Sequence, residues 1–221
     1  MYSITTTPGF IIDSRPYGEA GRLMSIFTRE LGLVRATAQG VRLEKSKLRY
    51  SSQLYSFGIF SFVCGKEFWR LTNALEQSRN EADTFPRDLA ARGDSSRGKV
   101  VGEVSETVPG SNATNKGIVA RLALLLNRLL HGEEAHLELF DCVFECVKFL
   151  NVNNITEEQI HTLESLTVAR ILHKLGYIGE DAKLDGYLKS NDITAQMLDE
   201  LESKRIIINK HINKALKESH L

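Results

Sequence analysis

The residues best suited to chemistry in this sequence gather in one stretch. Between Arg15 and Arg49 lie Arg15, Arg22, Arg29, Arg35, Arg42, Lys45, Lys47 and Arg49, opposed only by Glu19, Glu30 and Glu44. Lys45, Lys47 and Arg49 alternate with Ser46 and Leu48, and Gly40 opens that loop. Such a cationic run suits a phosphate backbone, because each phosphate neutralised releases condensed counterions. Single strands also need surfaces on which bases stack, and Tyr17, Tyr50, Tyr55, Phe68 and Trp69 lie near the cations in sequence. The bland alternative is a solvated loop whose charges only maintain solubility. Charge segregation argues against it. Lys+Arg and Asp+Glu balance at 28 each over 221 residues. Residues 1–80, however, hold 11 basic and 6 acidic residues, and the remainder hold 17 and 22. A polyanion is therefore expected to prefer the first part.

Other reactive residue types form no catalytic pattern. Cys142 and Cys146 stand at i, i+4, where two thiols share a helix face, with His136 and His173 as conceivable further ligands. A pair of small thiols on an apolar face is the plainer reading, so no metal is expected. The six histidines are scattered, and Asp141 and Glu145 join Glu133, Glu134 and Glu138 in an acidic, solvated helix face. No phosphate-binding glycine loop, His-Glu-x-x-His or Gly-x-Ser-x-Gly occurs. The expectation is a protein that is not an enzyme and carries no cofactor. Three sparse cysteines suit a reducing compartment, the start of the chain does not resemble a secretory signal, and no run is apolar enough to span a membrane. A cytoplasmic location follows as an expectation.

The elements that must position these residues divide into two kinds. Val34, Ala36 and Ala38 alternate with Arg35, Thr37 and Gln39, a period of two. Phe10–Asp13, Leu23–Thr28, Leu54–Cys64 and Glu67–Asn73 supply further strands, with a two-residue turn expected at Gly65-Lys66. Five short strands in about eighty residues suggest a small barrel such as the OB-fold. Residues 81–117 are rich in Gly, Ser, Asn, Thr and charge and read as a linker or insertion, with one helical turn near Arg87–Ala91. From Ile118 the period becomes helical. Ile118, Leu122, Leu125, Leu126 and Leu129 form one face; Leu137, Phe140, Phe144, Val147 and Leu150 form a second. Thr156 and Gln159 have capping-box spacing before a third helix that stops at Gly176. A loop through Gly179–Asn191 and two short helices, Ala195–Lys204 and Ile206–Lys217, follow. The fold class is thus α+β: a five-stranded OB-fold barrel over 1–80, a polar linker over 81–117 and a helical domain over 118–221.

Several of these blocks resemble the RecO family. Arg15-Pro16-Tyr17-Gly18-Glu19-Ala20, Arg22-Leu23 and Phe27-Thr28-Arg29-Glu30-Leu31-Gly32-Leu33-Val34-Arg35 look like its N-terminal signature, and Gly40-Val41-Arg42 like its next block. Phe68-Trp69-Arg70-Leu71 resembles its last barrel strand. Glu138-Leu139-Phe140, Ala169-Arg170-Ile171-Leu172 and Leu175-Gly176-Tyr177 resemble its helical part. The likeness covers roughly 1–80 and 118–180. It implies a mediator of DNA repair and recombination that binds single- and double-stranded DNA, anneals strands and assists RecA loading in the RecF pathway. The implied partners are DNA, RecR and the acidic, Phe-ended tail of the single-strand-binding protein; the implied location is the nucleoid. One departure is plain: many members place four cysteines after the Leu-Gly-Tyr segment, where Asp181–Tyr187 here contains none.

The DNA contacts expected from these arguments are Arg15, Arg22, Arg35, Arg42, Lys45, Lys47, Arg49, Lys66, Trp69 and Arg70. For a partner peptide in the helical part the candidates are Arg121, Arg128 and Arg170, unless these pair with Glu133, Glu134 or Glu138. The competing class is a non-catalytic interaction adaptor whose helical domain docks a peptide.

Overall fold

A computed structural model describes residues 3–76, 112–153, 155–179 and 184–218. Five strands come first: β1 (Ile4–Tyr17), β2 (Gly21–Thr28), β3 (Gly32–Ala38), β4 (Phe57–Val63) and β5 (Trp69–Glu76), with the short helix α1 (Leu48–Ser51) between β3 and β4. They close into a barrel in the order β1-β2-β3-β5-β4, with β3 and β5 parallel and the other pairs antiparallel. This is the expected OB-fold. Ile11, Met24, Ile26, Val34, Ala36, Phe60, Phe62 and Leu71 fill its interior. A Cβ on Gly9 would stand 2.8 Å from the Phe60 ring and 2.9 Å from Ile26, so only glycine leaves that space for the ring.

The helices are α2 (Asn112–Leu129), α3 (Leu137–Val152), α4 (Glu157–Lys174), α5 (Asp185–Lys189), α6 (Ala195–Glu202) and α7 (Arg205–Glu218). Helix α4 is nearly surrounded, packing on α3, α5, α6 and α7. Its buried Thr162 and Thr167 satisfy their hydroxyls by donating to the carbonyls of Glu158 and Leu163, one turn back. The capping box forms as expected: Gln159 N–H donates to Thr156 Oγ1 at 3.2 Å, and Thr156 N–H to Gln159 Oε1 at 3.0 Å.

The barrel and helices share a core. Phe10, Ile12, Phe27 and Leu33 point out of the barrel and join the helical cluster, while Ile11 points in. Phe10 stacks on Phe57 at 4.3 Å between centroids, and Phe57 meets Phe140 and Phe144 edge-on at 6.0 and 5.5 Å. Arg29 spans the junction with two bonds to Asp141, Nε to Oδ1 at 2.8 Å and Nη2 to Oδ2 at 3.1 Å. That pairing holds the Arg29 guanidinium above its usual pKa. At Gly32 (φ +70°) the backbone of Glu134 passes so close that a Cβ would lie 2.1 Å from its carbonyl oxygen.

Four local expectations need correction. β1 runs for fourteen residues rather than over Phe10–Asp13 alone; burial on both faces near Phe10–Ile12 removes the alternation that would have marked it, and a register shift lies between Ile11 and Asp13. The β4–β5 connection is not a two-residue turn at Gly65-Lys66: β4 ends at Val63, β5 begins at Trp69, and Gly65 faces the Phe68 carbonyl too closely for any Cβ. Residues 112–117, expected in the linker, begin α2, and α5 occupies part of the expected 179–191 loop. The remainder of the expected linker, with the turn near Arg87–Ala91, lies outside the described residues.

Candidate nucleic-acid interface

The strand register separates the expected DNA contacts into two groups. In the β2–β3 ladder Arg22 pairs with Ala38, Met24 with Ala36 and Ile26 with Val34, so Arg22 heads the inward-facing row and sits at the barrel mouth. Its Nη1 donates to Ser14 Oγ at 3.2 Å. Arg15 pairs with Leu23, Leu23 with Thr37, and Thr37 with Arg70, placing Arg15 and Arg70 on the outer wall; Arg35, two residues before Thr37, lies there too. Arg35 and Arg70 are exposed, whereas Arg15 is engaged by Asp13 at 2.8 Å.

The cationic loop after β3 is a succession of turns. Leu43 N–H donates to Gly40 O, Ser46 N–H to Leu43 O and Arg49 N–H to Ser46 O, at 3.0, 3.1 and 3.2 Å. Gly40 supplies the left-handed residue that starts them, at φ +66°. Arg42 ties the loop to the β1–β2 turn: its N–H donates to Ala20 O at 3.0 Å, and its Nη1 to Glu19 O at 3.3 Å. Helix α1 then carries Arg49 and Tyr50. Arg22, Arg42, Arg49 and Tyr50 line one cleft of 520 Å³ together with Val41, Ser52, Gln53 and Leu54. Three arginines and a tyrosine that is 65% exposed are thereby brought to one concavity. Lys45 and Lys47 are exposed on the same connection, and Lys66 on the β4–β5 loop, where Phe68 meets Tyr17 edge-on at 6.2 Å.

Trp69 is placed differently from a free stacking platform. Its ring faces inward against Phe62, and its Nε1 donates to Glu133 Oε1 at 2.7 Å. Sequence reasoning included Tyr50 among the aromatics but not among the contacts. Its adjacency to Arg49 was the available signal; the short helix presenting both was not foreseen.

The peptide candidates separate as well. Arg170 is fully buried, donating from Nε to Tyr187 O at 2.7 Å and from Nη2 to Asp192 O at 3.0 Å, so it secures the α5 region and offers no surface. Burial pushes its guanidinium below the usual pKa. Arg121 is bound by both oxygens of Glu164, a partner outside the acidic set considered, with Nη2 to Oε2 at 2.8 Å. Arg128 is exposed. A second cleft, of 740 Å³, lies where Gln53–Phe57 meets α2 and α3; Leu54, Phe57, Val119, Val147 and Leu150 line it, with Lys116 alongside.

Cys142 and Cys146 are buried free thiols, and burial pushes them up to about 11 and about 12. Among the described residues no three His, Cys, Asp or Glu side chains group as metal ligands. No helix among them is long and apolar enough to cross a membrane.

Comparison with known proteins bears on the barrel first. Residues 1–77 match the family model described as "Recombination protein O N terminal". Curated relatives named DNA repair protein RecO include one from Synechocystis sp., 38% identical over 71 residues, covering 32% of this chain and 26% of the relative. One from Alkaliphilus metalliredigens is 31% identical over 144 residues, covering 63% and 54%. One from Halalkalibacterium halodurans is 25% identical over 144 residues, covering 65% and 46%. The matched stretches thus span from about a quarter to about half of these relatives' own lengths. The chain is thus similar to RecO proteins over its barrel, and to two of these relatives over more than the barrel's length.

Proposed function

We propose that this protein is a non-catalytic DNA-binding mediator of repair and recombination, and that a strand's backbone lies in the cleft at the barrel mouth. The convergence of Arg22, Arg42, Arg49 and Tyr50 on that cleft carries the reading. Guanidiniums hold phosphate oxygens in pairs, and Tyr50 gives a base a face to stack on. Lys45, Lys47 and Lys66 extend the cationic field, and Arg35 and Arg70 continue it over the outer wall. Neutralising phosphates lowers the repulsion between two strands, which favours annealing and would serve RecA loading. RecR and the tail of the single-strand-binding protein are the proposed protein partners, and the nucleoid the proposed location. Such a tail needs an apolar site for its terminal Phe and a cation for its carboxylate. The 740 Å³ cleft with Lys116 offers both, and Arg128 is the remaining arginine candidate.

The test is a salt titration of binding to single- and double-stranded oligonucleotides. For the parent, log affinity should fall steeply with log salt. Replacing Arg22, Arg42 and Arg49 with Ala should weaken binding and reduce the slope by about 0.7 to 0.9 for each phosphate no longer neutralised. A folded variant with the parent's affinity and slope would remove the barrel mouth from the interface. Binding by the parent that ignores salt would favour the adaptor reading.

A further inference from the structure

The helical part is not uniformly acidic. Residues 118–203 contain seven basic and fifteen acidic residues, whereas residues 204–221 contain five basic and one acidic. Helix α7 buries Ile208, Ile212 and Ala215, packing on α4. Its opposite face exposes Ile206, Asn209, Lys210, Asn213, Lys214 and Lys217. Lys210, Lys214 and Lys217 stand at i, i+4 and i+7, one stripe about 10 Å long. The acid on this helix, Glu218, lies 3.9 Å from Lys214 at the far end.

A helix C-terminus favours cations through its dipole, which accounts for Lys217 in the last turn. It does not account for Lys210 in mid-helix, and it opposes Arg205 in the first turn. The exposed stripe combines point charges with amide donors, the side chains that hold a phosphate backbone. As the outside of a single helix it provides no concavity for a peptide side chain. We propose that this face of α7 binds the backbone of a second nucleic-acid strand while the barrel mouth holds the first. The proposal rests on the nucleic-acid reading above and adds to it the element that brings two strands to one molecule.

The full chain is compared with K210Q/K214Q/K217Q, which keeps helix propensity, with K210R/K214R/K217R, which keeps charge, and with R42A/R49A at the barrel. Three readouts are taken: affinity for one labelled oligodeoxythymidine, the annealing rate of a complementary pair, and acylation of the three lysines with and without oligonucleotide. The glutamine variant should bind one strand within about twofold of the parent but anneal about tenfold more slowly, the effect of three surface charge contacts. The arginine variant should anneal at the parent rate, and oligonucleotide should protect all three lysines in the parent. Unchanged annealing by the glutamine variant, or unprotected lysines, overturns the proposal. So does annealing loss that tracks loss of a dimer by sedimentation, since Ile206, 82% exposed, would then serve a second copy of the chain. Parent-like binding by R42A/R49A instead refutes the barrel siting, while protection or exposure of the lysines still decides independently whether α7 meets a strand.

Discussion

Replacing Gly32 with Ala tests whether the barrel and helices form one unit. Gly32 and Gly18 have nearly the same left-handed conformation, φ +70° and +65°, but different surroundings. A Cβ at Gly18 meets nothing within 4 Å; at Gly32 it would lie 2.1 Å from the Glu134 carbonyl oxygen. Alanine at either position carries the cost of a left-handed L-residue, about 1–2 kcal/mol. At Gly32 the Glu134 peptide must also move by more than an ångström to reach ordinary contact. That shift strains the adjacent bond from Leu33 N–H to Gly132 O, 3.2 Å long, whose loss costs about 1 kcal/mol. Overpacking the shared core adds about 1–3 kcal/mol. The two variants should therefore differ by about 2–4 kcal/mol. For a chain of this size each kcal/mol moves the melting temperature by about 2–4 °C, so Gly32→Ala should melt at least about 4 °C below Gly18→Ala in calorimetry. Coincident melting of the two variants would refute the close approach of Glu134 to the barrel.

Three further outcomes follow from buried polar groups. At pH 8 a thiol reagent should modify exposed Cys64 and spare Cys142 and Cys146 in the folded protein, while denatured protein loses all three thiols; mass spectrometry counts the adducts. Because the folded pKa values of these two thiols are raised from 9.0 to about 11 and about 12, their contribution to stability is intact below about pH 9. It declines as pH rises towards 12, which urea melts across that window should register as falling midpoints. Arg170→Met should destabilise the protein by about 2–4 kcal/mol, since two charge-assisted bonds vanish and the carbonyls of Tyr187 and Asp192 lose their donors. Hydrogen exchange should accelerate over 184–193; unchanged protection there would refute the anchoring role of Arg170.

The sequence by itself determined the two kinds of architecture and raised the expectation of a polyanionic partner. Strict alternation at Val34–Gln39 and the helical spacing from Ile118 are local signals of one-sided burial, and the β3, α2, α3 and α4 they mark are present. The capping box at Thr156 was legible because both of its bonds are local. Charge segregation, a property of composition, marked the barrel as the place for a polyanion. Whether an arginine faces solvent, a carboxylate or the core depends on residues distant in the chain, and this only the tertiary structure decided. Arg29 looked like one more cation of the basic run until Asp141, 112 residues away, took it for the junction. Arg170 sits on a helix whose buried face extends nearly all round, so periodicity could not distinguish it from a surface cation. Trp69 follows the inward side of β5, and the parallel register with β3 directs it there while sending Arg70 outward. Arg22, Arg42 and Arg49 come from a strand, a turn and a short helix, and only closure of the barrel brings them around one cleft with Tyr50.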